Sequence, residues 1–260
     1  MNIFRKAVRH FRGPRCNLEP EEKAWVEQRL LWLHQQFGPE PVRRPPLDPT
    51  SSLLPRRWSG SDEDGVGLLQ RLCSHMQVDA TRIELQFYSD AEPIQVMAGY
   101  HEVQKAGPAG LYFHPDDPSR VVIGLDGAGL NRPGSLAATI CHELGHVHLL
   151  ADRRIALEEP DGEPLTDLLT VYFGAGILTA NAAFQFNQWQ EGRMQGWSAS
   201  AQGYLSEALW GYSLACYARF RGDADAVWRK HLRENIAYYF EDSMHFLATT
   251  GDTSIAVGGA

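Results

Sequence analysis

The chain has 260 residues, 43% of them hydrophobic and 22% charged, which is long enough to bury the core of a globular protein. Its formal charge of -8 at pH 7 argues against a general phosphate-backbone binder, because such proteins need clustered surplus lysine and arginine. We therefore expect no nucleic-acid partner. The four cysteines are widely separated and form no Cys-x-x-Cys pair, which argues against a disulfide framework and favours a cytoplasmic protein.

The sequence predicts neither membrane insertion nor export. Residues 1–15 are basic, but no apolar run of signal-peptide length follows them. The longest apolar run, residues 168–184, is at the short limit for a span of about 20 residues and contains Gly, Thr and Asn. We expect a buried core helix there and no integral membrane segment.

Residues 20–38 predict the first helix, with acidic residues at its start and Gly38 as its stop. Its apolar residues at helical spacing are Val26, Leu30, Leu33 and Phe37. The following segment is rich in Pro, Arg and Ser and predicts an irregular connection. We therefore divide the chain into an N-terminal helix with an irregular extension, residues 1–60, and a second domain, residues 61–260.

The second domain begins with a predicted helix, for which Ser61 and Asp64 resemble a capping box. Its predicted buried positions are Val66, Leu69, Cys73 and Met76. The period then changes to alternation, which predicts a strand over residues 82–89. Further strand candidates are residues 110–114 and 120–126, with residues 94–100 as a weaker one. These segments predict a small mixed sheet.

The rest of the chain predicts helices almost throughout. Two of them form the C-terminal part, over residues 204–222 and 223–247, separated at Gly222. Within them, aromatic residues at helical spacing predict core or helix–helix packing: Trp210, Tyr217, Trp228 and Tyr239. The fold class expected from these elements is α+β.

Between the sheet and the last helices, residues 142–146 carry the pattern His-Glu-x-x-His. Pro133 stands where a helix can begin, and on that helix His142 and His146 are one turn apart on one side. The apolar residues Leu136, Ile140, Leu144 and Val147 form a stripe away from both imidazoles. Two neutral imidazoles at this spacing can share a tetrahedral Zn²⁺, with Glu143 as general base toward the water.

A short motif of this kind also arises by chance, on a helix whose histidines are satisfied by hydrogen bonds, so a metal site needs a third ligand. Glu163 and Asp167 stand four residues apart on the next predicted helix and share a face. Glu163 would complete a His₂Glu site with one position open for water, while Asp167 could accept the other N–H of a ligand histidine.

Other third ligands remain open. Asp152 stands where the metzincin pattern places its last ligand, but Leu149 occupies the position of the glycine which that pattern requires. Asp167 could bind directly, and Glu158 and Glu159 are in reach along the chain. His148 points nearly opposite to His146 on a helix and is therefore a poor ligand candidate.

The two motifs together resemble the gluzincin metallopeptidases, which include thermolysin-like and minigluzincin proteins and whose second motif is Glu-x-x-x-Asp. They also resemble bacterial proteins that carry the same pair of motifs. The likeness covers about residues 135–185. It implies a zincin-like fold, in which the small sheet packs on the His-Glu-x-x-His helix and the glutamate helix. It also implies a site: His142, His146 and Glu163 as zinc ligands, Glu143 as the catalytic base and Asp167 as support for a histidine.

We therefore expect zinc-dependent hydrolysis of a peptide bond in a peptide or protein substrate. The alternatives are a non-catalytic, zinc-stabilised binding or regulatory module with the same fold, and a metal-free helical scaffold. An oxyanion donor is not evident from sequence. Its candidates, none of them assigned a role, are Tyr172, Tyr204, Tyr212 and His231.

Overall fold

The computed structural model describes residues 13–49, 53–54, 57–89, 100–102, 110–115, 117, 119–191 and 205–258. The strands among them are β1 (Ile83–Tyr88), β2 (Tyr100–Glu102), β3 (Gly110–Pro115) and β4 (Val121–Asp126). The α-helices are α1 (Pro20–Phe37), α2 (Glu40–Arg43), α3 (Asp62–Met76), α4 (Pro133–His146), α5 (Gly162–Tyr172), α6 (Gly176–Glu191), α7 (Glu207–Arg221) and α8 (Glu234–Thr250). The protein is α+β and mostly helical, as expected.

The chain divides into two compact units. One combines Met1–Arg43 with Leu205–Ala260 and contains α1, α2, α7 and α8. The other is Arg44–Tyr204, which contains the sheet and helices α3 to α6. The predicted domain boundary near residue 60 stays a prediction.

In the first unit, α1 follows its predicted apolar spacing. Val26, Leu30 and Leu33 are fully buried, whereas Phe37 at the end of the helix is only partly buried. Gly38 follows with φ of 67°, a left-handed conformation that glycine adopts without steric cost. The predicted stop is therefore confirmed.

Helix α7 ends as predicted at Gly222, which has φ of 71°, but it begins at Glu207, later than predicted, with the Ser206 side chain capping its first turn. The helix predicted over residues 223–247 is wrong in its first part, because α8 begins only at Glu234. Asp223 accepts hydrogen bonds from Arg221 Nε (2.5 Å) and Trp228 Nε1 (3.3 Å). Ala226, inside the predicted helix, adopts a left-handed conformation with φ of 38°, which a non-glycine residue does not adopt within a right-handed helix. The short turn Val227–His231 follows it.

The four aromatic residues predicted to pack in this unit do so, two of them buried and two partly buried. Trp210 and Tyr217 are buried. The ring centroid of Trp228 lies 6.0 Å from that of Tyr217 and 5.2 Å from that of Phe240. Tyr239 is only partly buried, but its backbone and Cβ lie against α7 at Gly211.

In the second unit, the Ser61 side chain accepts from the Asp64 backbone N–H and caps α3 as predicted. The buried face differs from the prediction at Val66, which is 39% exposed. The buried residues of α3 are Gly65, Leu68, Leu69, Leu72, Cys73 and Met76. The apolar stripe is therefore centred closer to Leu72 than the sequence spacing indicated.

The sheet has four strands in the order β1-β4-β3-β2. β1 pairs with β4 in parallel, while β4 with β3 and β3 with β2 are antiparallel, so the sheet is mixed, as expected. β4 is buried at Val121 to Leu125, which explains its unbroken apolar sequence. Of the weaker strand candidate over residues 94–100, only Tyr100 lies among the described residues, at the start of β2.

We predicted one helix over the apolar run of residues 168–184, but the run belongs to two helices. α5 ends at Tyr172, Gly174 adopts φ of 78°, and α6 begins at Gly176. A left-handed glycine at this position ends a helix and redirects the chain. The side chains of Leu168 and Leu169 are fully buried, as expected. Among the described residues, no helix has the length and apolar character needed to cross a membrane.

One buried carboxylate in the first unit has consequences for its stability. Glu27 is 5% exposed and accepts hydrogen bonds from the Tyr212 O–H (2.5 Å), the Ser254 backbone N–H (2.8 Å) and the Ser254 hydroxyl (2.6 Å). Burial alone would raise the pKa of Glu27, but the hydrogen bonds from Ser254, Tyr212 and Thr253 outweigh it and lower the pKa to about 2. The ionised form therefore stabilises the folded state.

We expect Glu27→Gln to lower the free energy of unfolding at pH 7 by about 2 kcal/mol, because charged acceptors make stronger hydrogen bonds. The folded-state pKa lies below the unfolded value of 4.5, so the stabilisation is complete above that pH and is lost as the pH falls toward 2. Denaturant unfolding at about pH 7 and about pH 3 measures this dependence. The exposed Glu21→Gln on the same helix is the control, and a wild-type advantage over Glu27→Gln that does not shrink at low pH would contradict the assignment.

Candidate metal centre

Helix α4 carries the His-Glu-x-x-His pattern in its last turns. Pro133 occupies its first turn as predicted, and its residues from Leu136 to His146 are all buried. The predicted stripe of Leu136, Ile140, Leu144 and Val147 is at most 2% exposed. The rings of His142 and His146 meet edge to face with centroids 4.9 Å apart, as the spacing of one helical turn requires.

Helix α5 brings a carboxylate to these two rings. It begins after Asp161 in the N-cap position, and Glu163 lies in its first turn. Within the described residues, one group of histidines, cysteines and acids has a ligand atom from each member within 4.8 Å of the others, and its members are His142, His146 and Glu163. His142 Nε2 is 3.1 Å from Glu163 Oε2, and His146 Nε2 is 3.6 Å from Glu163 Oε1.

The donor set and its spacing fit a metal ion. Ligand bonds of 2.0–2.2 Å in a tetrahedral zinc site separate the ligand atoms by about 3.4 Å. The two separations that involve Glu163, 3.1 and 3.6 Å, bracket that value, and all three ligand atoms lie within 4.8 Å of one another. His146 Nε2 is buried and has no hydrogen-bond partner in the described part of the chain. Burying such a nitrogen without a partner is costly, and coordination to a metal would remove that cost.

Each histidine ring is held by a second contact at Nδ1. His142 Nδ1 is 2.9 Å from Asp167 Oδ1, and His146 Nδ1 is 3.4 Å from the Thr166 hydroxyl. With the proton on Nδ1, each ring donates to its oxygen and keeps the Nε2 lone pair for the side of Glu163. The structure thus places Asp167 where a supporting residue would lie. The ligand and supporting roles themselves stay predictions.

The charges of the group favour a cation. Burial alone would lower the pKa of His142, but the hydrogen bonds and charges of Asp167 and Glu163 outweigh burial and raise this pKa well above its usual value. Burial lowers the pKa of His146 to about 4, although the charge of Glu163 opposes the change. The negative charges of Asp167 and Glu163 thus stabilise positive charge in this group, while burial favours the neutral form of the His146 imidazole.

Glu143 lies beside the group but does not belong to it. It is 2% exposed, and its Oε2 atom has no hydrogen-bond partner among the residues that the structure describes. Burial and the charge of Glu163 raise its pKa to about 7, against the opposing effect of His142. A carboxyl group with a pKa near neutrality can both accept and release a proton at physiological pH.

Strand β3 approaches this carboxyl group at Gly110. A Cβ atom at position 110 would lie 2.5 Å from Glu143 Oε1 and 2.6 Å from Thr139 Cγ2. Only glycine therefore allows the strand to lie this close to α4. The same strand places the ring of the buried Tyr112 5.3 Å from the ring of His146.

The alternative third ligands lie outside the group. Asp152 accepts from Arg82 (2.9 Å) and Arg154 (2.7 Å). Burial alone would raise the pKa of Asp152, but hydrogen bonds with His148 and these two arginines hold it well below its usual range. The other candidates that are not in the group are Asp167, Glu158 and Glu159, of which Glu158 is exposed.

The remaining candidates from sequence have other environments. His148 points away from the group, with Nε2 2.6 Å from the Met76 carbonyl oxygen and its ring stacked on Phe173. Among the proposed oxyanion donors, Tyr172 is fully buried and Tyr212 donates its hydroxyl to Glu27. His231 lies in the short turn Val227–His231, and Tyr204 lies outside the described residues.

Sequence reasoning missed Thr166, Gly110 and Tyr112. Thr166 shares the first turns of α5 with Glu163 and Asp167, so helical spacing could have placed it near a ligand histidine. Gly110 and Tyr112 reach the site because β3 lies against α4. That contact depends on tertiary packing, for which the sequence of the strand offers no signal.

A scan against protein-family models, a search of curated proteins and a search of solved structures found no match for this chain. No residue role is therefore carried over from a relative. The chemistry assigned to the site rests on the geometry of its own residues.

We expect Gly110→Ala to destabilise the fold by about 1–3 kcal/mol, since the added methyl group would overlap the Glu143 carboxyl group and Thr139. Denaturant unfolding measures the change. Gly134→Ala is the matched control, because a Cβ atom there meets nothing within 4 Å. Equal stability of the two variants would show that β3 does not lie against α4 as described.

Proposed function

We propose that the chain is a zinc-dependent metallopeptidase of the gluzincin type, with a zincin-like fold. The observation that carries the proposal is the combination of one ligand group and one separate acid. His142, His146 and Glu163 have ligand atoms within 4.8 Å of one another, and the buried Glu143 lies next to them without joining them. This division of roles is the one that hydrolytic zinc sites use.

The types of ligand favour zinc over Mg²⁺ or Ca²⁺, and the number of ligands favours a catalytic over a structural zinc site. Two imidazoles and one carboxylate suit zinc, whereas Mg²⁺ and Ca²⁺ take oxygen ligands. Structural zinc sites are filled by four protein ligands, while catalytic sites have three and leave one position open. When bound, Zn²⁺ would supply Lewis-acid polarisation of a carbonyl group and lower the pKa of a coordinated water to about 7.

Glu143 performs the proton transfers in this proposal. As general base, it would take a proton from the attacking water and give it to the leaving amine. Its carboxyl group keeps one oxygen, Oε2, without a described hydrogen-bond partner, so that oxygen can receive the proton. The other oxygen, Oε1, lies against β3 at Gly110, where a Cβ atom would be 2.5 Å from it.

A peptide or protein substrate is the class that the resemblance of the two motifs to the gluzincin metallopeptidases implies. Substrate class and cytoplasmic location stay predictions.

We expect wild-type protein to bind one Zn²⁺ per chain, and His146→Ala and Glu163→Ala each to weaken binding at least 100-fold, because each removes one of three ligands. Dialysis against a metal-buffered solution followed by elemental analysis measures the content. Asp152→Asn, which changes an alternative ligand, and Glu159→Ala, which changes an acid outside the group, are the controls. Loss of zinc in Asp152→Asn with full content in Glu163→Ala would contradict the gluzincin assignment.

We expect Glu143→Gln to keep normal folding and zinc content while peptide hydrolysis falls by about 10²- to 10⁴-fold, because the amide retains the shape but not the basic oxygen. Cleavage of a peptide library, followed by mass spectrometry, identifies a substrate and then measures the loss. Equal cleavage by both proteins would exclude Glu143 as the base. Cleavage by neither zinc-loaded protein would favour the non-catalytic, zinc-stabilised module.

A further inference from the structure

The structure assigns a positioning role to Thr166. Its hydroxyl group orients the ligand His146 and thereby increases the affinity of the site for metal. This inference rests on the proposed metal centre and adds to it a residue outside the ligand set. Thr166 lies three residues after Glu163 and next to Asp167. One turn of α5 would thus supply a ligand and the support for both histidines.

The hydrogen bonds of the Thr166 hydroxyl fix its direction. Thr166 is fully buried, and its Oγ1 donates to the Gly162 carbonyl oxygen at 2.8 Å. A hydroxyl group has one proton, so the contact of 3.4 Å between Oγ1 and His146 Nδ1 is one in which the ring donates. The proton is then held on Nδ1, and the Nε2 lone pair faces Glu163.

Gly145 makes this contact possible. A Cβ atom at position 145 would lie 2.7 Å from Thr166 Cγ2 and 3.4 Å from the Thr166 carbonyl oxygen. The glycine inside the His-Glu-x-x-His pattern therefore allows α5 to approach α4 closely enough for the hydroxyl group to reach His146. The sequence pattern and the support for its second histidine are linked through this helix contact.

A neutral hydroxyl group is also suited to its surroundings. The carboxylates of Glu163 and Asp167 already contact His142, Glu163 also lies 3.6 Å from His146, and Glu143 is buried beside them. A further carboxylate behind His146 would add negative charge to a buried cluster and raise the cost of ionising the others. Thr166 orients the ring without that charge.

The test compares Thr166→Ser with Thr166→Ala, which differ only in the hydroxyl group, and adds Thr166→Val, which keeps the shape of threonine. The Zn²⁺ dissociation constant, measured by competition with a chromophoric chelator, is the readout. We expect Thr166→Ala and Thr166→Val to bind Zn²⁺ about 10- to 100-fold more weakly than wild type, and Thr166→Ser to retain affinity near that of wild type. The visible absorption spectrum of the Co²⁺ form reports changes in ligand geometry.

Thr179→Val is the matched control. Thr179 is another buried threonine, and its hydroxyl group lies 2.8 Å from that of Thr170 rather than at a ligand histidine. We expect this variant to bind Zn²⁺ like wild type. Equal affinities of Thr166→Ala and Thr166→Ser, in a wild type that binds Zn²⁺, would overturn the role of Thr166 alone. A wild type without Zn²⁺ affinity would overturn the proposed function and this inference together.

Discussion

The close contact between α4 and α5 is the constraint on which the proposed centre depends. At Gly145 the two helices approach until no Cβ atom fits between them, and this brings Glu163, Thr166 and Asp167 to the two histidines. Burying acids and imidazoles together is costly unless each polar atom has a partner. In the described residues, His146 Nε2 and Glu143 Oε2 remain without one. A metal ion would give His146 Nε2 a partner, and a water bound to the metal would give Glu143 Oε2 one.

The sheet supplies the other side of the same arrangement. β4 is buried from Val121 to Leu125 and pairs with β3 in antiparallel register, with Gly110 opposite Leu125. At Gly110, β3 lies against the Glu143 carboxyl group. The contact at Gly110 therefore positions the proposed base, Glu143. The contact at Gly145 likewise positions the proposed third ligand, Glu163. Helix α4 lies between these two contacts, and its apolar stripe fixes its orientation.

The parts that sequence could predict are those set by local periodicity. The apolar spacing of α1 and α4 determined which residues are buried, and one helical turn determined that His142 and His146 share a side. The break at Gly174 and the late start of α8 were not predicted. In both, an apolar or helix-favouring segment is interrupted by a residue in a left-handed conformation, Gly174 in the first and Ala226 in the second. The contact of β3 with α4 depends on non-local packing, so Gly110 gave no signal.

The most direct test of the central claim is a crystal structure of the zinc-reconstituted protein, with anomalous diffraction data collected on both sides of the zinc absorption edge. The account predicts one anomalous peak within bonding distance, about 2.0–2.2 Å, of His142 Nε2, His146 Nε2 and a Glu163 oxygen, with Glu143 outside the coordination shell. A zinc ion held by Asp152, or one coordinated directly by Glu143, would contradict it.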